Sequence, residues 1–159
     1  MSDMDRKARW EEIYRQRQPT EVSWYQGEAR ASRELVQRAD RVRWVEADVL
    51  TAALPSARYA LWHDRAVFHF LTSDEDRARY VAQVEHAVRP GGYVIIGTFA
   101  LDAPPRCSGF DVARYTPESL HAVFGAGFQM LAGERDEHRT PAGMSQPFTY
   151  CLCRRETRP

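Results

Sequence analysis

Three ionisable residues in a row, His63, Asp64 and Arg65, follow a short apolar stretch, Tyr59 to Trp62. An aromatic run, Ala66 to Leu71, comes next. The apolar stretch is typical of a strand, and ligands of a parallel sheet bind outside the carboxyl ends of its strands. Charge at that position therefore indicates a site. A strand end that merely becomes solvated gives the same local pattern, so both interpretations stay open here.

Proton transfer is the chemistry that these residues can perform. His63 and Asp64 can each accept a proton near neutral pH if their surroundings move the pKa, which makes them candidate general bases. A structural alternative is that Asp64 and Arg65 pair with each other or cap the following segment. His69, inside the aromatic run, is predicted to be a buried core histidine.

Composition excludes several classes of protein. The chain has 159 residues, enough for one domain, and its net charge is zero, with 22 basic and 22 acidic residues, so neither a nucleic-acid nor an acidic-membrane partner is expected. No apolar run reaches the ~18 residues of a membrane span, and the polar N-terminus is unlike a signal peptide. Three cysteines indicate a reducing cytoplasm. Cys151 and Cys153 have no partner ligands at a recognisable spacing, so no metal site is predicted.

The first elements must position this strand end. Periodicity predicts an amphipathic helix over Asp5 to Tyr14, a second helix over Glu28 to Ala39, and a strand over Arg41 to Leu50 that carries Asp48 near its end. Trp24 and Tyr25 lie in the loop between the two helices, where they form either an aromatic lid or part of the core.

The second half alternates helices and strands. A Thr72–Glu75 capping box begins a helix that should stop at Arg89, before Pro90-Gly91-Gly92. The remaining predictions are a central strand over Tyr93 to Phe99, a helix from Thr116-Pro117 to Gly125, and strands over Phe128 to Glu134 and Phe148 to Arg154. The alternation predicts an α/β fold with a mostly parallel sheet.

Two loops carry further polar residues. Arg106, Cys107 and Ser108 follow the central strand, and His138, Arg139 and Gln146 lie in the final hairpin loop. Both loops should reach the same edge of the sheet, where their side chains either contact substrate or are simply solvated.

Four stretches, in their order along the chain, carry a resemblance to a known family. They are Trp10–Tyr14 with Val22–Gln26, Glu46–Leu50, Leu61–Phe70 followed by the Arg89–Gly92 turn, and Glu137–Pro141 with Gln146–Phe148. Together they resemble class I S-adenosylmethionine-dependent methyltransferases, and the likeness covers most of the chain.

The resemblance implies a fold and a cofactor. The fold would be a truncated Rossmann-like domain over 1–159, with a helical lid segment at 1–40 and a sheet core at 41–155. The sheet would hold about five strands in the order 3-4-5-7-6, the last pair antiparallel. The cofactor would be S-adenosylmethionine, and the acceptor a small molecule.

The resemblance also implies roles for individual residues. Asp48 would accept from the adenine amino group, with Val49 beside it. His63 and Arg65 would lie near the methyl group, with His63 or Asp64 as base. Residues that would contact substrate are Trp24, Tyr25, Arg106, His138 and Arg139.

One departure bears on the chemistry. The family's glycine-rich loop lets backbone approach the cofactor, yet no glycine occurs between Gly27 and Gly91. The first strand, that loop and the second strand are missing. Three functions stay open: a methyltransferase, a non-catalytic binding or dimerisation module, and an engineered deletion variant. The edge strand left by the deletion predicts a homodimer, by strand pairing or segment exchange.

Overall fold

The computed structural model describes residues 8, 11–12, 15–16 and 43–157. The chain divides into two compact units, residues 1–44 with 139–145 and residues 45–138 with 146–159. In the first unit, residues 8, 11–12 and 15–16 are helical, four of these in or beside the helix predicted from Asp5 to Tyr14. The helix predicted over Glu28 to Ala39 lies outside the described residues. The predicted single domain with its boundary at residue 40 stays a prediction.

The second unit contains a four-stranded sheet in the order β1-β2-β6-β5. These strands are β1 (Tyr59–Arg65), β2 (Val88–Phe99), β5 (Phe128–Arg139) and β6 (Ser145–Arg155), and the two-residue strands β3 (Arg106–Cys107) and β4 (Phe110–Asp111) form a separate hairpin.

The sheet is mixed, so the prediction of a mostly parallel sheet is wrong. β1 and β2 are parallel, whereas β6 lies antiparallel beside β2. Residues 140–144 join β5 to β6, a connection too short for a parallel crossover, so these two strands form an antiparallel hairpin. The described four-stranded sheet therefore contains one parallel pair of strands, β1 and β2.

The predicted five-stranded order 3-4-5-7-6 is not confirmed. Residues 43–48, assigned to the first of those strands, adopt no regular secondary structure and are exposed. A strand needs a neighbour to pair its backbone N–H and C=O groups, and no described strand lies beside this segment. The Val and Trp residues of the segment therefore suggested a strand that the described chain does not form.

The helices begin where side chains satisfy their first N–H groups. The first helix, α1 (Asp74–Ala87), has Ser73 as its N-cap, which accepts from the N–H of Asp76 at 3.1 Å. This is one residue later than the predicted Thr72 box. The second helix, α2 (Pro117–Phe124), has the predicted Thr116 cap and Pro117 start. Three-residue 3-10 turns at Phe68–Phe70 and Gly125–Gly127 complete the described elements.

Each face of the sheet has its own apolar cluster. On one, termed the helix face, Val94, Ile96, Cys151 and Cys153 pack with residues of α1 and α2, namely Tyr80, Val84, Leu120 and Phe124. The other, termed the Arg65 face, carries a cluster made of Phe99, Ala103, Cys107, Val112 and Phe148. Successive side chains of a strand point to opposite faces, so neighbouring residues of β1 contact different apolar clusters.

His69 is fully buried, as predicted. Its ring lies 4.4 Å from that of Phe70 and 4.6 Å from that of Phe99, and neither ring nitrogen has a hydrogen-bond partner among the described residues. Burial lowers the pKa of His69 from 6.5 to about 3. The folded chain therefore keeps this histidine neutral over a range in which the unfolded chain protonates it.

The buried imidazole predicts a loss of stability in mild acid. Below pH 6.5 the unfolded state binds the proton, so the free energy of unfolding falls as pH drops toward about 3, by at most about 1.4 kcal/mol per pH unit from this group. We expect the free energy of unfolding of His69→Phe and of His69→Leu, measured in urea, to fall less between pH 6.5 and 5 than that of the parent chain. Parallel curves for all three proteins would contradict this.

Candidate functional site

The end of β1 places its three ionisable side chains on two faces of the sheet. Asp64 pairs in register with Ile96, and Arg65 pairs with Gly97. Ile96 belongs to the helix face, so Asp64 turns toward α1. His63 and Arg65, one residue before and after it, turn to the Arg65 face, where His63 is exposed and Arg65 is half-buried.

On the helix face, the carboxylate of Asp64 accepts three hydrogen bonds. Oδ1 accepts from the N–H of Val67 at 3.0 Å, and Oδ2 accepts from the N–H of Phe68 at 3.1 Å. The hydroxyl of Tyr80 in α1 donates to Oδ2 at 2.6 Å, and accepts in turn from Trp62 Nε1 at 2.8 Å. These bonds fix the turn after β1 to the strand and to the helix.

The protonation of this pair follows from its surroundings. The pKa of Asp64 lies above its usual value, because burial outweighs the hydrogen bonds from Tyr80, Val67 and Phe68, which lower it. Burial and the neighbouring Asp64 carboxylate raise the pKa of Tyr80 well above its usual value, so the phenol keeps its proton and donates.

Asp64 thus caps the following segment, one of the two structural interpretations that the sequence left open. It does not pair with Arg65, which bonds to a tyrosine instead. Its predicted role as a base stays a prediction.

The turn that follows has an unusual backbone. Ala66 has φ of +69°, the left-handed region that costs a residue with a side chain about 1–2 kcal/mol. Its N–H donates to the carbonyl of Gly97 at 2.8 Å. The conformation brings the N–H groups of Val67 and Phe68 back toward Asp64, whose hydrogen bonds offset the strain.

Arg65 is held across the width of the sheet. Its Nε donates to the hydroxyl of Tyr150 in β6 at 2.9 Å, and its guanidinium carbon lies 5.0 Å from the ring centroid of Phe148. Between them stands Gly97, where an added Cβ would lie 2.5 Å from Cε1 of Tyr150. The missing side chain at 97 is what lets the tyrosine ring span β2 and reach the arginine.

Asp48 and Val49 lie in a turn before β1. Oδ1 of Asp48 accepts from the N–H of Leu50 at 2.8 Å, and its carbonyl accepts from Thr51 and Ala52 at 3.1 and 2.8 Å. The Asp48 side chain is exposed, whereas Val49 packs partly against the core of the helix face. Their predicted cofactor contacts stay predictions.

The predicted substrate residues are dispersed. Arg106 is exposed and its Nε donates to Asp111 at 2.8 Å within the β3–β4 hairpin. His138 is buried, with its ring 6.3 Å from that of Phe148. Arg139, in the other unit, is exposed. Trp24 and Tyr25 lie outside the described residues. His138 therefore lies near Phe148, the ring on which Arg65 stacks, whereas Arg106 bonds to Asp111 in the β3–β4 hairpin.

The sequence analysis assigned no role in the site to four residues of this arrangement: Tyr80, Gly97, Phe148 and Tyr150. Gly97 was the one of the four that the sequence could have indicated, since an isolated glycine inside an apolar strand often marks a position where another group approaches the backbone closely. Tyr80 and Tyr150 carried none, because their partners are 16 and 85 residues away.

A surface groove of about 590 Å³ lies on the helix-face side of the second unit, between α1 and the segment before α2. Its lining residues are Asp74, Arg77, Ala78, Ala113, Arg114, Tyr115 and Val123. Arg77 is engaged by the carbonyl of Leu71 and by Asp74, and Arg114 by the carbonyls of Leu101 and Ala103. The groove therefore does not include the charged end of β1.

The described residues offer neither a metal-binding cluster nor a membrane-spanning helix. Across the described ranges, no group of three or more His, Cys, Asp or Glu side chains could hold a metal ion. Cys151 and Cys153 are buried with their sulfurs 3.3 Å apart. Within the part of the chain that the structure describes, no helix is long and apolar enough to cross a membrane.

Comparison with known proteins gives the family. The model of the methyltransferase-domain family matches residues 8–96, more than half of the chain. The chain belongs to the class I S-adenosylmethionine-dependent methyltransferase family. No curated protein sequence matches it.

Solved structures share the α/β fold of this family. A S-adenosylmethionine-dependent methyltransferase of Methanosarcina mazei has a TM-score of 0.60 and 12% identity, over 84% of this chain and 80% of that one. The 1,6-didemethyltoxoflavin-N1-methyltransferase of Burkholderia thailandensis has a TM-score of 0.58 and 22% identity, over 80% of this chain and 57% of that one. The [4+2]-cyclase SpnF has a TM-score of 0.56 and 16% identity, over 80% and 62%.

The residues fit the cofactor in part. S-adenosylmethionine supplies a methyl group on a sulfonium centre, and it carries an adenine amino group and a carboxylate to be recognised. The exposed carboxylate of Asp48 would suit the adenine amino group, and the guanidinium of Arg65 would suit the carboxylate. The close backbone approach that a glycine loop provides has no counterpart between Gly27 and Gly91.

The hydroxyl of Tyr80 predicts a measurable contribution to stability. Tyr80→Phe removes the donor of a buried hydrogen bond to Asp64 and the acceptor of a part-buried one from Trp62, and should lower the free energy of unfolding by about 1–3 kcal/mol in urea. Tyr93→Phe, at an exposed position, is the matched control and should change it by less than about 0.5 kcal/mol. Equal effects would contradict the proposed linkage of helix and strand.

Proposed function

We propose that this chain is a S-adenosylmethionine-dependent methyltransferase domain that acts on a small-molecule acceptor. The observation that carries the proposal is the family match over residues 8–96, which includes both Asp48 and the His63–Arg65 strand end. The relative from Burkholderia thailandensis, solved with 1,6-didemethyltoxoflavin and S-adenosylhomocysteine bound, supports a small acceptor.

The proposed roles follow the two faces of the sheet. His63, exposed on the Arg65 face, is the first candidate for the base that takes the acceptor's proton. Asp64, buried behind it, is the second, and holds the turn in place. Methyl transfer is an in-line displacement in which the protein mainly aligns the reactants, so a rigid strand end is a suitable platform.

Cofactor recognition is proposed for Asp48, Val49, His63 and Arg65, and acceptor contact for Arg106, His138 and Arg139 with Trp24 and Tyr25. Asp48 would accept from the adenine amino group through its exposed carboxylate. The missing first strand, glycine loop and second strand are proposed to be a true deletion, supported by the absence of glycine from residue 28 to residue 90.

Titration with S-adenosylhomocysteine, followed by the fluorescence of the four tryptophans, tests this proposal. We expect saturable binding that Asp48→Ala weakens by about tenfold, because one hydrogen bond to a charged acceptor is lost. Glu75→Ala, an exposed acid on α1, should bind like the parent chain. No binding at millimolar ligand would eliminate the proposal.

A non-catalytic methyltransferase-like module is the alternative, and an engineered deletion variant would behave in the same way. The missing glycine loop favours both. SpnF, which shares the fold and is a [4+2]-cyclase, supports the point that this fold also serves other chemistry. Failure of the folded chain to bind S-adenosylhomocysteine would favour the module or the deletion variant, since both are taken to have lost cofactor binding.

We also propose that the chain forms a homodimer through the edge of β1. Among the described strands β1 lies at the end of the sheet, and Tyr59 and Leu61 on it are 38% and 51% exposed. An unpaired strand edge with apolar side chains is a template for a second chain.

Light scattering after size exclusion tests the dimer. Leu61→Lys places a charge on the β1 edge and should shift the population to monomer. Leu131→Lys, 45% exposed in its parent form on the opposite edge strand β5, should leave the dimer intact. A parent chain that is monomeric at every concentration would contradict the proposal.

A further inference from the structure

Three residues form a row across the sheet on the Arg65 face. Arg65, Gly97 and Tyr150 are directly opposite one another on β1, β2 and β6, and all three belong to the Arg65 face. Because Gly97 has no side chain, the ring of Tyr150 occupies the space above it and its hydroxyl accepts from Nε of Arg65. Phe148, two residues before Tyr150, stacks against the guanidinium.

This arrangement fixes the orientation of the guanidinium. A hydrogen bond at Nε and an aromatic ring against one plane leave the two terminal nitrogens as the free donors, since no described residue bonds to them. Two parallel N–H groups of an arginine match the two oxygens of a carboxylate. A side chain that is already held loses little freedom when it makes such a pair.

The charge of Arg65 is not balanced within the described chain. None of the ion pairs formed by described residues includes Arg65, although it is half-buried. The adjacent acid, Asp64, points to the helix face and is occupied by Val67, Phe68 and Tyr80. A partly desolvated cation without a counter-ion is costly, and an anionic ligand would remove that cost.

The surroundings define the rest of the ligand. Phe148 is 3% exposed and belongs to the apolar cluster of the Arg65 face, against which Ala66, Phe70 and Tyr150 also pack. Phe148 and the rest of the cluster are buried, so the apolar atoms that a ligand on this face can reach are those of the partly exposed Ala66, Phe70 and Tyr150. Two of these three are aromatic, which suits an acid with a planar apolar body.

We propose that Arg65, positioned by Tyr150 and Phe148, is a carboxylate-binding site on the Arg65 face, and that its ligand is a small aromatic acid. The identification of that acid as the methyl acceptor rests on the proposed function. The carboxylate of the cofactor's own methionine part has the same chemistry, so the experiment has one arm for each source.

The first arm uses benzoate and its neutral isostere benzamide, in ligand-detected NMR titrations of the intact chain. We expect benzoate to bind in the millimolar range and benzamide about tenfold more weakly. Arg65→Gln should abolish this preference, and Tyr150→Phe, which keeps the ring but frees Nε, should reduce it about threefold. Arg79→Gln, an exposed arginine paired with Glu75 on α1, should leave it unchanged.

The second arm compares S-adenosylhomocysteine with 5′-methylthioadenosine, which has no carboxylate. A preference for S-adenosylhomocysteine that disappears in Arg65→Gln, while benzoate shows none, would support the carboxylate site, assign its carboxylate to the cofactor and overturn the small aromatic acid as its ligand. If Arg65→Gln changes neither preference, the proposal is overturned. Circular-dichroism melts establish that each variant folds.

The two proposals fail in different ways. Benzoate binding that depends on Arg65, in a chain that binds no S-adenosylhomocysteine, sustains the carboxylate site and defeats the methyltransferase. Binding of S-adenosylhomocysteine that ignores Arg65, with no discrimination between benzoate and benzamide, sustains the methyltransferase and defeats the carboxylate site.

Discussion

The buried carboxylate of Asp64 is the interaction on which the strand end depends. It accepts from two backbone N–H groups of the next turn and from the hydroxyl of Tyr80 in α1. Because side chains alternate along a strand, holding residue 64 on the helix face obliges His63 and Arg65 to occupy the other. The burial of Asp64 thereby places His63 and Arg65 on the face that a ligand can reach.

The same constraint accounts for the strained turn. Ala66 takes a left-handed conformation, which aims the following N–H groups at the carboxylate, and the helix contributes the third donor. A buried acid that accepts three hydrogen bonds is tolerated, whereas the loss of any one of them leaves its oxygens underpaired. Stability and the geometry of the candidate site therefore share one set of bonds.

The Arg65 face depends on a missing side chain. Gly97 omits a side chain, and Tyr150 and Phe148 from β6 hold the arginine of β1 across the gap. This part of the site depends on β1, β2 and β6 alone. It would remain in a member of the family that has lost the first strand, the glycine loop and the second strand.

Local signals in the sequence predicted the local structure. The Thr116 cap and Pro117 start of α2, the apolar run of β2 and the buried His69 are all confirmed, since each depends on neighbours within a few residues. The strand predicted over Arg41 to Leu50 failed at residues 43–48, because a strand is decided by a pairing partner that the local pattern does not reveal.

Long-range contacts set the limit on predicting the site. The charged residues at the end of β1 were evident, yet which of them faces the core depends on Tyr80 and on the register with β2. The mixed sheet has the same origin, since β6 inserts antiparallel beside β2 from more than 45 residues further along the chain. Neither pairing has a local signature.

A ¹⁵N NMR spectrum recorded with increasing benzoate tests most directly the claim that the two faces of one strand end have different tasks. We expect the Nε–H signal of Arg65 and the amide signals around Tyr150 to shift in a saturable way, while the amide signals of Val67 and Phe68, which bond to Asp64, stay in place. Saturable shifts at Val67 and Phe68 with none at Arg65 would contradict it.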